Sequence, residues 1–374
     1  MKDIEAVAFV LDTFYLNSFR DDLTKFSKNC VILVFNFKGE INLNYCGPGI
    51  KFSEKTWRFG KKNPFISYLV YFYQLIKILG YIFTSYRVNK AISENTYAAV
   101  IIGFFRLLNR CKKSYYIGVD WLATKSRKNF SSYLLSNIFF PVCDLIACRL
   151  NDVLLTSKPT ITARYGFWKR DITKETRIFS YWKSQIVDRS YHRKGKKIIR
   201  NKIFFLGFIR SDSGFEIIIQ SIKNLYSKYG IKIKIIGPMT QELKKILISV
   251  KKLRLENTVE YLGFINTNDF SKAVTDCFCG INLLTDAESY SKYTVPSKLV
   301  YYIQFLLPVI TTRGAGLNLT ELIELNRLGL VIDPNKAKFE EAAGELFVNH
   351  KKYCHNIIKF IHNNKKENFR QIFS

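Results

Sequence analysis

The sequence predicts an α/β protein of two doubly wound halves, each a largely parallel sheet flanked by helices. Short continuous apolar runs, of the kind that strands buried on both faces need, alternate with longer stretches of helical periodicity. That alternation is interrupted near the middle by a basic stretch and then resumes. With 374 residues, 48% of them hydrophobic, the chain can bury two cores and is too apolar for disorder.

In the first half, strands are expected at 7–11, 31–37, 98–105, 115–119 and 152–157. Met1 to Glu5 carries acids and the apolar run behind it is short, so no secretory signal is expected. The segment 65–86 is helical in pattern and holds a single charge, Lys77. Three readings stand for it: a membrane span, a helix of the domain, or a helix lying on the membrane surface. Its Tyr, Ser, Thr and Gln argue against a span, while the flanking Lys61, Lys62, Arg87 and Lys90 suit anionic lipid.

The second half alternates more cleanly. Strands are expected at 202–209, 231–237, 258–264, 279–284, 308–312 and 329–333, with helices at 215–228, 241–252, 269–276, 297–305 and 319–325. The segment 189–202 holds seven Lys or Arg and no acid, and reads as a solvated linker. These features give a first domain over 1–190, a basic linker over 191–201 and a second domain over 202–338. A helical tail over 339–374 is expected to pack back toward the first domain.

The 58 Lys and Arg against 30 Asp and Glu leave a net charge of +28, a field that attracts nucleic acid, anionic lipid or phosphorylated substrates. Lys, Asn, Ile, Phe and Tyr are abundant together, as AT-rich coding produces, which weakens the charge as evidence for any partner. A nucleic-acid reader would cluster Arg with aromatics in a known module, and none is visible. Fingerprints for dinucleotides, phosphate loops, zinc hydrolases and serine hydrolases are missing. The four histidines lie at 192, 350, 355 and 362, in linker or tail, so no metal centre is expected. Eight cysteines without paired spacing read as reduced thiols of a cytoplasmic protein.

The informative stretches are FFLGFIRSDSGFEIIIQSIKNL (204–225), KIIGPM (234–239), VEYLGFINTNDF (259–270), SKYTVPSKLVYYIQFLLPVITT (291–312) and LGLVID (328–333). Gly207 and Gly214 bracket a strand-to-helix turn that holds Arg210, where backbone amides suit a phosphate. Pro296, Ser297 and Lys298 open a helix, where a Lys adds a point charge to amides facing an anion. The loops after Gly237, after Gly263 with Phe264, and over 286–294 with Ser289, Tyr290 and Tyr293 end strands at one edge. In the first half, Asp12 and Asp120, the latter before Trp121, follow strands; each is either a proton-accepting base or an ordinary capping Asp.

In order and spacing these stretches resemble the nucleotide-sugar domain of GT-B glycosyltransferases, nearest the family 4-like clan of bacterial surface-polysaccharide type. Relatives bear a P-[SH]-K-[LF]-x-x-Y-x-x-x-x-x-P-V-I pattern, and the resemblance covers about residues 200–335. It implies two Rossmann-like domains facing a cleft and a nucleoside diphosphate sugar, UDP-sugar by preference, as donor substrate without a further cofactor or metal. It implies donor contacts from Lys298, Tyr301 and the glycine turns, and retention of configuration. Two departures stand out. Phe208 and Ser213 occupy the places of the usual diphosphate-binding Arg and Lys, and Tyr293 and Tyr301 those of the family's two Glu, with Glu288 a stand-in for the first.

The function expected is therefore sugar transfer to a hydroxyl of a lipid-linked or surface-glycan acceptor. The expected place is cytoplasmic, peripheral on the anionic inner face of the cell membrane, without a nucleic-acid partner. A catalytically inactive GT-B scaffold and, behind it, a basic nucleic-acid-binding protein are the alternatives.

Overall fold

The computed structural model describes residues 2–11, 30–35, 40–46, 57–58, 64–118, 134–178, 200–265, 269–285, 296–315 and 317–363. The chain divides into two compact units, Met1–Ser184 with Glu367–Ser374, and Gln185–Lys366. Each holds one sheet.

The first unit has an eight-stranded sheet in the order β4-β3-β2-β1-β5-β6-β7-β8. Its strands are β1 (Lys2–Leu11), β2 (Cys30–Phe35), β3 (Glu40–Cys46), β4 (Trp57–Arg58), β5 (Tyr86–Ser93), β6 (Cys111–Ile117), β7 (Val153–Thr156) and β8 (Thr176–Ile178). All pairings from β2 through β1 to β8 are parallel, while β3 and β4 extend the edge antiparallel. Helices α1 (Pro64–Ser85), α2 (Thr96–Leu107), α3 (Phe140–Leu150) and α4 (Lys158–Trp168) connect them, with one π-helical segment, Leu135–Phe139, leading into α3.

One expectation for this unit is corrected. The apolar run 98–105 is not a strand but the middle of α2. Asn95 starts that helix, its side chain accepting from the amides of Tyr97 and Ala98, a cap that contributes about 1 kcal/mol. The helix reads as unbroken apolar sequence because Ala98 through Gly103 are all buried, between the sheet and α3. A Cβ on Gly103 would lie 2.4 Å from Leu150 Cβ, so α2 and α3 touch closely there. The strand instead is β5, YRVNKAIS, whose Arg, Asn and Lys disguise a central position beside β1.

The segment 65–86, for which three readings stood, lies in α1, which packs into the core as a helix of the domain. Leu75, Ile78, Leu79, Ile82 and Phe83 recur at helical spacing and enter the core with Val7, Phe9, Val31 and Ala91. Among the described residues no helix is long and apolar enough to cross a membrane.

The second unit has a six-stranded, all-parallel sheet in the order β11-β10-β9-β12-β13-β14. The strands are β9 (Lys202–Leu206), β10 (Lys232–Ile236), β11 (Val259–Tyr261), β12 (Cys277–Asn282), β13 (Val309–Thr312) and β14 (Gly329–Ile332). Between them run α5 (Phe215–Tyr229), α6 (Gln241–Lys252), α7 (Phe270–Ala273), α8 (Ser297–Gln304) and α9 (Leu317–Leu325). Counted from β9 the order is third, second, first, fourth, fifth, sixth, which puts a topological switch point between β9 and β12. Of the tail expected over 339–374, α10 (Lys336–Val348) and α11 (His350–Asn363) are built into the second core, and 364–374 lie outside the described residues. Phe339, Ala342, Ala343, Leu346 and Tyr353 pack there with Ile218, Ile222 and Phe278.

Candidate functional site

At the switch point two neighbouring strands lead to helices on opposite faces, so a crevice opens beyond their carboxyl ends. Here the parting is visible in the hydrogen bonds. The register between β12 and β9 runs from Cys277 opposite Lys202 to Gly280 opposite Phe204 and ends there. Beyond it, the Tyr302 hydroxyl of α8 accepts from the Leu206 amide at 3.2 Å and donates to the Ile281 carbonyl at 3.0 Å. One phenol thus satisfies both strands where they separate, and burial raises its pKa. Its ring fits because position 280 is Gly: a Cβ there would lie 2.5 Å from the Tyr302 ring.

Three turns form the rim. Gly207 follows β9 with φ 112°, a left-handed conformation that glycine allows. Gly237 follows β10, and a Cβ on it would come within 2.1 Å of the Gly207 carbonyl oxygen, so the two turns touch backbone to backbone. Gly263 follows β11 and accepts from the Gly237 amide at 3.0 Å, with Phe264 exposed beyond it. The glycines shape the edge by close approach.

The loop from Gly207 to α5 is closed by its own side chains. Ser213 is buried, its hydroxyl accepting from the Arg210 amide at 2.9 Å, and the Ser213 amide donates back to the Arg210 carbonyl at 3.0 Å. The residue in the place of the family's Lys therefore folds the loop. Arg210 makes a two-pronged pair with Asp212, at 3.0 and 2.8 Å, and the Thr285 amide after β12 donates to the Asp212 carbonyl. Loop and β12 end are tied together.

Lys298 lies in the first turn of α8, its ammonium 4.8 Å from the centre of the Phe205 ring. Although the side chain as a whole is half-buried, desolvation at its charged end lowers its pKa to about 8, with repulsion from Arg210 adding and Asp212 opposing. Two cations from different elements thus face one place. The helix starts agree: α6 and α10 are capped by Thr240 and Asn335, whereas α5 and α8 begin at Gly214 and Pro296 with no side-chain cap. An uncapped start is shared with α3 and α4 and is compatible with an outside acceptor.

Tyr301 belongs elsewhere: it is buried and stacks on Phe270 at 5.3 Å, so it packs α8 against α7. The residue that sequence reasoning missed is its neighbour Tyr302, and the signal was present, since Tyr302 is the fixed Tyr of the P-S-K-L-V-Y-Y pattern. Gly280 was a second signal, a lone glycine in an apolar strand. Glu288, Ser289, Tyr290 and Tyr293 lie outside the described residues, as do Asp12, Asp120 and Trp121; of Ser297 only the backbone is described.

In the first unit the carboxyl ends of β6 and β7 are held by a buried ion pair. Arg164 meets Asp144 through two bonds of 2.8 Å and also donates to the Gly118 carbonyl and the Thr156 hydroxyl. The Tyr116 hydroxyl donates to Asp144 at 2.7 Å. Burial alone would lower the Arg164 pKa; the carboxylate outweighs it and keeps the guanidinium charged.

A groove of about 1020 Å³ elsewhere in the second unit is lined by Asn224, Arg313, Asp333, Glu340, Glu345 and Tyr353 among others. Its lining mixes these carboxylates with Lys228, Arg313 and Lys338, so it presents no concentrated charge of either sign.

Residues 227–346 match the sequence family described as "Glucosyltransferase 3-like, C-terminal domain". No curated protein matches the chain. Among solved structures, HepE of Anabaena in complex with UDP superposes with a TM-score of 0.63 at 14% identity, over 96% of this chain and 95% of that one. Sucrose-phosphate synthase from Thermosynechococcus elongatus gives 0.64 at 13% over 99% of each. WaaG, a glycosyltransferase involved in lipopolysaccharide biosynthesis, gives 0.60 at 12% over 97% and 96%. The chain has the GT-B glycosyltransferase fold. The segment that matches the family lies within the second unit, as does the crevice with Lys298.

Proposed function

We propose that this GT-B chain transfers a sugar from a nucleoside diphosphate sugar, a UDP-sugar by preference, to a hydroxyl of a lipid-linked or surface-glycan acceptor. The observation that carries the donor half is the convergence of Lys298, Arg210 and two uncapped helix starts on the switch-point crevice. A diphosphate leaving group gains negative charge as the glycosidic bond breaks. Lys298 and the amides of α5 and α8 neutralise that charge in place of a metal ion, which makes turnover insensitive to chelators. UDP and UDP-glucose complexes of HepE support the choice of nucleotide. Asp12 or Asp120 is the proposed base for the acceptor hydroxyl, and Glu288, Ser289, Tyr290 and Tyr293 the proposed sugar and ribose contacts. Retention of configuration rests on the sequence resemblance. The proposed place of work is the cytoplasmic face of the membrane, where a lipid-linked acceptor presents its glycan.

The test is turnover of UDP-glucose and related donors by purified wild type and Lys298→Ala. The variant should lose about 10²–10³-fold in kcat with its melting temperature unchanged, and wild-type turnover in the variant sinks the assignment. One observation favours a second reading, an inactive donor-binding scaffold: Tyr301, at the position of the family's ribose-binding Glu, is spent on packing. UDP binding by calorimetry without turnover of any donor and acceptor pair decides for it.

A further inference from the structure

Asn282 ends β12 and is only 3% exposed, in a strand made otherwise of Cys, Phe, Gly and Ile. Its backbone carbonyl is used, accepting from the Thr311 hydroxyl of β13 at 3.0 Å. Its side chain is not: the amide nitrogen Nδ2 is buried and has no hydrogen-bond partner among the described residues. Buried hydroxyls near it are differently placed. Thr312 bonds both backbone groups of Leu284, and Tyr302 bonds Leu206 and Ile281. An unpaired buried donor destabilises a fold, and an apolar side chain at this position would remove the cost. A donor kept against that cost points to an acceptor from outside the fold.

The topology sets this amide beside Lys298. Successive strand side chains alternate between faces, so Asn282 shares the face of Gly280, which lies against the Tyr302 ring. On α8, Lys298 and Tyr302 are four residues apart and share one side of the helix. Because α8 connects the parallel strands β12 and β13, it runs back along them and starts at their carboxyl ends. Two strand residues span about 7 Å and four helix residues about 6 Å, so Asn282 comes opposite Lys298 as Gly280 comes opposite Tyr302. A neutral donor and a cation are brought to one place. Any oxygen would satisfy the amide, but an anionic oxygen satisfies both groups.

We infer that Asn282 is a further binding residue of the switch-point crevice, its amide donating to an oxygen of the phosphate group that Lys298 attracts. The torsion next to the amide is soft, so the group can turn to meet that oxygen. The inference rests on the donor-site reading and adds to it a residue of the strand itself, where the sequence pointed to turns and a helix start.

The experiment is calorimetry of UDP with the full chain as wild type, Asn282→Leu, Lys298→Ala and the double variant, each checked by a thermal melt. Leu reproduces the branching of Asn without its donor, so Asn282→Leu should melt no lower than wild type and bind UDP about tenfold more weakly. If both side chains meet one phosphate, the double variant should lose less than the product of the two single losses. Losses that multiply independently overturn the inference, because the two residues then act at separate places. Asn282→Ala, which cannot overfill the space, serves in the same cycle if the Leu variant does not fold. Wild-type affinity in a folded Asn282 variant, beside a loss in Lys298→Ala, overturns this inference and leaves the donor site standing. Absence of UDP binding by wild type overturns both.

Discussion

Lys298 shows how one residue can carry a testable electrostatic signature. Its pKa is pushed down to about 8 by burial first and Arg210 second. It is a cation below that value and increasingly neutral above, so affinity for UDP should fall as pH rises from 7 to 9, by an amount on the order of tenfold. Binding of the diphosphate raises the same pKa, so calorimetry near pH 8 in buffers of different ionisation enthalpy should reveal proton uptake. A flat profile means that the ammonium does not meet the phosphates. Tyr302 makes the second residue-scale prediction. Tyr302→Phe leaves the Leu206 amide and the Ile281 carbonyl without their shared partner and should cost about 1–3 kcal/mol by urea unfolding, with weaker UDP binding if the parting of β9 and β12 shapes the crevice. Both residues were on view in the P-S-K-L-V-Y-Y string, yet spacing alone could not say which Tyr turns inward: the phenol of one bridges strands and that of its neighbour stacks on Phe270.

At the scale of elements, the buried pair Asp144–Arg164 joins α3 to α4 and, through Gly118 and Thr156, to the ends of β6 and β7. Arg164→Ala leaves a carboxylate buried without its counter-ion and should destabilise the first unit by about 3–5 kcal/mol, seen as an earlier unfolding transition. Replacing both partners with Leu and Met should cost less than the single change, and an equal cost argues against the pair as the cause. In the second unit, Lys202 and Lys234 hold Asp276, with Glu260 beside them, and fasten β9, β10 and β11 to the start of β12. Burial works against the Asp276 carboxylate, but its two lysines outweigh this and its pKa is lowered. Asp276 therefore stabilises the fold above the ordinary carboxylate range and loses that contribution as pH falls through its folded pKa. The Lys202 pKa is raised, so its contribution is present at neutral pH and lost in strong alkali. Asp276→Asn should flatten the acid limb of a stability-against-pH curve and leave the neutral region lower. The elements themselves were legible where period and propensity agreed. The helix expected at 241–252 has those bounds, and the structure adds its cap, Thr240. The failure at 98–105 has a physical cause: a helix buried on most sides has no polar face to betray its period, and Asn95 was the remaining clue.

Across the whole molecule the net charge of +28 is spread rather than concentrated. Residues 1–184 hold 28 Lys and Arg against 13 Asp and Glu, and residues 185–374 hold 30 against 17. Neither half is a basic module on an otherwise neutral protein. The positive field is general, so it does not by itself mark the Lys298 crevice.

Strand and helix alternation, the number of sheets, the glycine turns of the second unit and the place of Lys298 at a helix start followed from the sequence by itself, because each depends on local pattern: continuous apolar runs, turn residues and a proline at a helix start. The tertiary structure decided what depends on residues far apart. It set β5 beside β1, brought Tyr302 to the parting of β9 and β12, placed Arg210 near Lys298 and folded α10 and α11 into the second core. Burial and pairing belong to neighbours in space, and no spacing along the chain records them.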